Sequence, residues 1–152
     1  MEMPKPGPAH QQLAKLAGHW VGQEKMHPSP WDPNGGMATG QVKNTLALDG
    51  FCVFQDYEQV RDGKTSFRGL GIFSWNAMKQ CNELAWADSM GGMVQIFAGK
   101  WDGDVLRMTS DGPMGTTRCS FDVAGGGYKF KMDVSPDGKA WTTFMEGTYK
   151  KS

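Results

Sequence analysis

Six short turn signals recur after residue 18, and their spacing limits what this chain can fold into more than any other feature. They are Asp49-Gly50, Asp62-Gly63, Asp102-Gly103, Asp111-Gly112, Gly125-Gly126-Gly127 and Asp137-Gly138. An Asp-Gly pair reaches positive φ at little cost, which is what a β-hairpin turn requires. The segments between turns run for about 7 to 10 residues, a length typical of strands and too short for most helices. A chain divided in this way is predicted to be all-β.

This division predicts about ten strands joined mostly by short loops, which favours up-and-down neighbours. The predicted strands are residues 19–26, 37–47, 51–60, 66–75, 82–90, 93–101, 104–110, 115–124, 127–135 and 140–150. An open meander has two exposed edges, and pairing the first strand with the last removes both. We therefore predict a closed antiparallel barrel, with a β-sandwich as the structural alternative.

The beginning of the chain has a different pattern. Three prolines within residues 1–9 predict an extended, flexible arm. In residues 10–17, Leu13 and Leu16 lie at helical spacing, and Gly18 follows as a stop signal. This segment predicts one short amphipathic helix that caps an end of the barrel.

Alternation of apolar and polar side chains gives each predicted strand one buried face. The pattern is clearest near the end of the chain, where Phe144 is predicted to lie on the face opposite Met145. The side chains predicted to face inward there are Cys119, Phe121, Val123, Tyr128, Phe130, Met132, Val134, Met145 and Tyr149.

Length and charge restrict the class of protein. The chain has 152 residues, enough for one domain, so residues 10–152 are predicted to form a single calycin-like barrel domain. Sixteen basic residues balance sixteen acidic ones, which leaves no basic excess to bind nucleic acid. There is no apolar run of about 18 residues and no signal-peptide pattern. We therefore expect no membrane span and a cytoplasmic location.

Cysteine and methionine usage gives further limits. Cys52, Cys81 and Cys119 are widely spaced and odd in number, which favours small core residues over disulfides or a zinc site. The 11 methionines and 6 tryptophans supply soft apolar surface. That surface could belong to a pliable cavity lining or to a methionine-filled core, and composition leaves both open.

Polar side chains on inward faces are candidates for ligand contact, because a buried polar group needs a partner. Gln55 and Tyr57 share the inward face of the third strand; they either contact a ligand or form an internal hydrogen bond. Trp86, Asp88 and Met90 share one face of the fifth strand. If that face is inward, Asp88 needs a hydrogen-bond donor or takes up a proton. Reversed strand parity would place it near solvent instead.

Two further segments have two interpretations each. Gly69 and Gly71 share one face of the fourth strand, where a side chain or ligand approaches the backbone or the barrel bends. The loop 27–36 contains three prolines and Trp31. It is either a lid over a cavity mouth or a surface loop that packs back on the helix.

The sequence offers little support for metal or nucleophile chemistry. His10, His19 and His27 all lie near the beginning of the chain without metal-binding spacing. No motif of a hydrolase nucleophile is present. We therefore predict no metal and no cofactor.

Several short motifs occur together in one known family. They are Pro6-Gly7-Pro8 with His10, Leu16-Ala17-Gly18-His19-Trp20-Val21-Gly22, Gln55-Asp56-Tyr57, Arg68-Gly69-Leu70-Gly71 and Trp86-Ala87-Asp88-Ser89-Met90-Gly91. On these motifs the chain resembles small, mostly bacterial proteins of unknown function in the calycin group, alongside lipocalins, fatty-acid-binding proteins and nitrobindins. The resemblance implies a barrel with an interior cavity and no established catalytic residues. His19 stands where that family often has threonine, and no histidine follows His27, whereas the haem-ligating histidine of nitrobindins lies late in the chain.

The leading hypothesis is a non-enzymatic protein that binds a small hydrophobic or aromatic ligand in the barrel. The residues predicted to contact this ligand are Trp20, Gln55, Tyr57, Trp86, Asp88, Met90, Met108, Phe130 and Met132. A second hypothesis is a cofactor-free isomerase or cyclase, in which Asp88 exchanges a proton and Tyr57 binds an oxyanion. A nitrobindin-like haem protein is a third, and a structural or homodimer-forming module with a filled core is a fourth.

Overall fold

The structure is a computed structural model that describes residues 1–30, 32–113 and 115–152. In these residues ten strands form one closed antiparallel barrel, in which strands adjacent in sequence pair and the first strand pairs with the last. The strands are β1 (Gly18–Met26), β2 (Gly36–Ala47), β3 (Cys52–Arg61), β4 (Lys64–Asn76), β5 (Cys81–Asp88), β6 (Gln95–Asp102), β7 (Val105–Gly112), β8 (Gly115–Asp122), β9 (Tyr128–Ser135) and β10 (Thr142–Lys151). The predicted all-β up-and-down barrel is confirmed.

A short helix, α1 (Pro8–Leu13), precedes the barrel and continues as a 3₁₀ turn over Ala14–Leu16. The predicted helix is confirmed, but it begins two residues earlier than predicted. Pro8 fits the first helical turn because the N–H that proline lacks has no intrahelical partner there. The chain is already extended at Ala17, which ends the turn.

The helix closes one end of the barrel. Leu13 and Leu16 are fully buried. The carbonyl oxygen of Leu16 accepts hydrogen bonds from Asn44 Nδ2 at 2.9 Å and from Trp20 Nε1 at 3.3 Å. These two contacts attach the cap to β2 and β1, so the barrel has a packed end beside α1. Among the described residues, no helix plugs the opposite end in this way.

Inward faces follow the predicted alternation on most strands, and Phe144 is the exception. The pairing of β10 with β9 shifts register between Thr143 and Met145. A bulge of this kind inserts one extra residue into the strand. Phe144 and Met145 therefore both pack against the core, and the prediction that they lie on opposite faces is wrong.

Strand lengths differ around the barrel in a way that shapes its open end. Within the described ladder, β4 pairs with β5 from Gly69 onward, opposite Asp88. Residues 64–67 of β4, which precede this ladder, pair only with β3. The hairpin of β3 and β4 therefore projects beyond the end of β5.

The cysteines are free thiols in two environments. Cys119 is buried in the core, as predicted, whereas Cys52 and Cys81 are half-buried on the outer face. Burial raises the pKa of the Cys119 thiol to about 12.

Among the residues that the structure describes, no helix has the length and apolar character needed to cross a membrane.

Leu16→Ala tests whether the cap holds the closed end. The fully buried side chain leaves a cavity when truncated, so the free energy of unfolding should fall by about 2–5 kcal/mol in urea denaturation. Leu70→Ala, at a 63 % exposed position on the outer face, is the matched control and should change it by less than about 0.5 kcal/mol. Equal, small effects of both substitutions would contradict a packed cap.

Candidate functional site

The barrel encloses a cavity of about 490 Å³ at the end opposite α1. Its wall consists of inward side chains, including residues such as Met26, Gln59 and Gln95 that lie at the strand ends away from the helix. The aromatic part of the wall comprises Tyr57, Phe67, Trp86, Phe97, Phe121, Tyr128, Phe130, Phe144 and Tyr149. Most of this surface is apolar, and a few polar groups interrupt it.

Most residues predicted to contact a ligand lie around this cavity. Those in the lining are Gln55, Tyr57, Trp86, Asp88, Met90, Phe130 and Met132. Trp20 and Met108 lie outside the lining, in the packed core, where both are at most 3 % exposed. Trp20 stacks on Tyr128 with ring centroids 5.2 Å apart, because its place at the start of β1 is next to the helical cap.

A buried carboxylate stands directly behind the cavity wall. Glu24 is 0 % exposed. It accepts hydrogen bonds from the Tyr57 hydroxyl at 2.7 Å, from Gln59 Nε2 at 3.1 Å and from the Tyr149 hydroxyl. Gly40 on β2 makes room for it, since a Cβ there would collide with the carboxylate.

Sequence reasoning missed Glu24, although a signal for it was present. The residue lies four positions after Trp20 in a strand, so the period of two places both on the inward face. An acidic side chain on an inward face must find donors, and Tyr57 on the predicted inward face of β3 provides one of them.

A second hydrogen-bond network fixes Gln55. Asn44 donates Nδ2 to the Leu16 carbonyl, so its Oδ1 must be the atom that accepts from Gln55 Nε2 at 3.0 Å. Gln55 Nε2 also donates to the Tyr128 hydroxyl at 3.2 Å. Gln55 and Tyr57 thus form internal hydrogen bonds, as one of the two interpretations of the sequence expects, while both also line the cavity.

Asp88 lies on the inward face at the end of β5, at the mouth of the cavity. Its Oδ2 accepts from Trp86 Nε1 at 2.9 Å, and its Oδ1 accepts from the backbone N–H of Met90 at 2.9 Å. Met90 contributes to the mouth although its residue is 75 % exposed. The carboxylate therefore has donors and remains partly open to solvent.

The Trp86 indole explains the glycines of β4. A Cβ on Gly69 would overlap the six-membered ring of Trp86, and one on Gly71 would meet Leu84 and Trp86. The sequence left open whether these glycines allow a close approach to the backbone or a bend of the barrel; the structure shows a side chain that approaches the backbone closely. The glycines let the indole lie against the backbone, with its N–H directed to Asp88.

Sequence similarity places the chain in a known family. A family model described as "Protein of unknown function (DUF1579)" matches residues 5–151. The chain belongs to this family. The match spans the capping helix and all ten strands, so the whole barrel is the family's unit.

A search of solved structures shows the same architecture elsewhere. The DUF1579 barrel is similar to the crystal structure of Rv2717c from M. tuberculosis, with a TM-score of 0.73 and 17 % sequence identity. The alignment covers 96 % of this chain and 98 % of that chain. At this identity the similarity establishes a shared fold. Comparison with curated proteins gives no match.

The histidines of this DUF1579 protein do not fit the haem hypothesis. Within the described cavity lining there is no histidine. His10 accepts from the Gly7 N–H at 3.0 Å, at the beginning of α1. His27 Nε2 lies 3.2 Å from Glu146 Oε1. The described residues thus include no histidine positioned as an axial haem ligand in the cavity.

The two residues proposed for an isomerase or cyclase, Tyr57 and Asp88, both line the cavity and both have protein partners. The Tyr57 hydroxyl donates its proton to Glu24, and therefore cannot also donate it to an oxyanion. Asp88 is hydrogen-bonded to Trp86 and Met90. Each residue is thus held by protein groups of its own.

The loop 27–36 is attached to the rim of the barrel. Arg61 at the end of β3 forms a salt bridge with Asp32 at 2.7 Å and donates to the Gly35 carbonyl at 3.0 Å. Trp31, which carried the lid hypothesis, lies outside the described residues.

A second depression of about 500 Å³ lies on the outer surface, over β1, β2 and β8 to β10. Its lining includes outward lysines such as Lys25, Lys129 and Lys131. We take the interior cavity as the candidate site, because inward side chains enclose it and apolar surface lines it.

All three tyrosines are buried and resist ionisation. Burial, followed by repulsion from Glu24, raises the pKa of Tyr57 and of Tyr149 far above the usual value. Burial raises the pKa of Tyr128 to about 12. In the unfolded chain each tyrosine would ionise near pH 10.

This difference predicts loss of stability in base. Below about pH 10 both states keep the phenol protons; above it the unfolded chain releases them and the folded chain does not, so stability falls as pH rises. The expected slope is about 1.4 kcal/mol per pH unit for each tyrosine. Between about pH 10 and the pKa of about 12 of folded Tyr128, tyrosinate absorbance followed with circular dichroism should show ionisation only together with unfolding. Tyrosinate in a folded barrel within that range would contradict the assignment, and protein unfolded in urea is the control.

Proposed function

We propose that this DUF1579 protein binds a small, mostly apolar molecule in the barrel cavity, in the manner of ligand-binding barrels of the calycin group. The observation that carries the proposal is the cavity itself, about 490 Å³ of space with a mouth at one end and a largely aromatic wall. Pockets for small molecules typically have volumes of about 300–1,000 Å³. A filled structural core would leave room for only a few waters, each occupying about 30 Å³.

The polar groups of the wall support binding over simple packing. Gln55, Tyr57 and Asp88 each hold a fixed orientation through at least one other protein group. A few oriented polar groups in an apolar wall are what ligand sites typically contain, because apolar burial gives affinity and polar contacts give orientation. A ligand that buries roughly 250 Å² of apolar surface would gain about 6 kcal/mol before the cost of association.

The experiment compares two tryptophan substitutions in a titration with Nile red, a neutral apolar dye. Val134→Trp adds bulk to the cavity wall and should weaken dye binding at least about tenfold, which corresponds to about 1.4 kcal/mol. Leu70→Trp places the same side chain on the outer face and should leave binding unchanged. Native mass spectrometry of freshly purified protein should also detect a co-purified small molecule.

Two results would overturn the proposal. The first is the absence of a saturable dye site together with the absence of any co-purified mass. The second is equal binding by wild type and Val134→Trp, because a dye held in the cavity must respond to lost volume. Urea denaturation of both variants keeps misfolding from being mistaken for blocked binding.

A further inference from the structure

The charged groups in and behind the described cavity wall are acidic. Within the described lining, Asp88 is the charged side chain, and lysine, arginine and histidine are absent. Glu24 adds a second carboxylate directly behind Tyr57 and Tyr149. Its three donors are two phenols and an amide, so nothing in that shell cancels a negative charge. The field inside the cavity therefore favours positive groups.

The directions of the hydrogen bonds around the cavity also favour a ligand that carries hydrogen-bond donors, as a cationic ligand does. The hydroxyl protons of Tyr57 and Tyr149 are donated to Glu24. Both Nε2 protons of Gln55 are used on Asn44 and Tyr128, which leaves its carbonyl oxygen.

The indole N–H of Trp86 is likewise used on Asp88. Of the polar atoms on these four side chains, those left for a ligand are acceptors. A ligand that matches them brings N–H or O–H donors.

Three basic side chains toward the open end of the barrel are paired with acidic ones. Arg61 is paired with Asp32 at 2.7 Å, and His27 with Glu146 at 3.2 Å. Arg118 on β8 is paired with the buried Asp133 at 2.9 Å, on the outer face. Each of these three side chains thus has a carboxylate partner of its own.

Aromatic rings stand beside the accessible carboxylate. Trp86 is hydrogen-bonded to Asp88, and its ring centroid lies 6.3 Å from that of Tyr57. The ring centroid of Phe67 lies 6.0 Å from that of Tyr57. Aromatic faces attract organic cations through their quadrupole, most strongly where water is excluded. A carboxylate adjoining such rings is a complementary site for an ammonium group.

We infer that the cavity selects an organic cation, an amine carried on an apolar or aromatic body. The ammonium group binds at Asp88 beside Trp86, and the apolar body extends into the barrel toward Phe121 and Met132. The inference rests on the proposed function and adds the charge of the ligand to it. Fatty acids and other apolar anions are disfavoured, because the described lining offers their carboxylate no basic partner.

The test uses three ligands of one shape and three charges. These are 1-naphthylmethylamine, 1-naphthalenemethanol and 1-naphthoate, each titrated near pH 7.5 in low salt by displacement of Nile red. The amine should bind at least about tenfold more tightly than the alcohol, as expected of one partly buried charge-assisted hydrogen bond. The acid should bind at least about tenfold more weakly than the alcohol.

Two variants locate the effect. In Asp88→Asn the amine should bind no more tightly than the alcohol binds to the same variant, so the roughly tenfold preference of the wild type should disappear. Asp56→Asn removes the same charge from the outer face of β3 and should leave the amine preference intact. Should Asp88→Asn fail to fold, the order of the three ligands on wild type decides the inference alone.

The possible failures are distinguishable. If none of the three ligands nor Nile red binds, the proposed function fails. If all three bind equally, or if the acid binds most tightly, the cavity binds ligands but the cation inference is overturned. An amine preference that survives in Asp88→Asn would also overturn it, because it would remove Asp88 as the partner of the ammonium.

Discussion

A carboxylate kept from water must be surrounded by donors, and Glu24 imposes this requirement on three strands. Leaving such a group unpaired would cost several kcal/mol. Each hydrogen bond to a charged group stabilises the folded state by about 1.5–3 kcal/mol. Glu24 accepts such bonds from Tyr57 and Gln59 on β3 and from Tyr149 on β10. Because Glu24 belongs to β1, the same contacts connect the β1–β10 seam of the barrel with β3, which lies one strand away from β1 beyond β2. The inward positions of both tyrosines follow from that demand.

The barrel interior is divided between a packed end and an open one. The helical cap fills the first with Leu13 and Leu16, and Trp20 stacks there on Tyr128. At the other end nothing in the described chain enters the barrel in the same way, so the inward side chains of ten strands do not meet. The cavity is thus a consequence of having one cap. Tyr57 and Tyr149 stand at the boundary, with Glu24 behind them and the cavity in front.

Much of this architecture could be predicted from the sequence, since turn chemistry and a period of two are local signals. The Asp-Gly turns located the strands, and alternation gave the inward faces. Phe144 was misplaced because a bulge depends on the pairing of two distant strands. Trp20 and Met108 were predicted to line the cavity because alternation tells which face is inward but not how far a residue lies from the cap. The buried hydrogen-bonded state of Glu24 could be predicted only by combining the inward faces of β1, β3 and β10, because its donors lie on other strands.

The unequal heights of the wall determine how the cavity meets solvent. Residues 64–67 of β4 stand above the end of β5, where Ser89 and Met90 begin the next loop. The rim is therefore a slanted notch, tall on the side of Phe67 and low on the side of Asp88. Within the described contacts, the first part of this loop is held by bonds of Ser89 to Arg68 and of Met90 and Gly92 to Asp88. These bonds lie beyond the last pair of the β4–β5 ladder, so the loop can move without breaking a rung of the barrel. Such movements take roughly nanoseconds to microseconds, so the interior can exchange its contents while the strands stay paired.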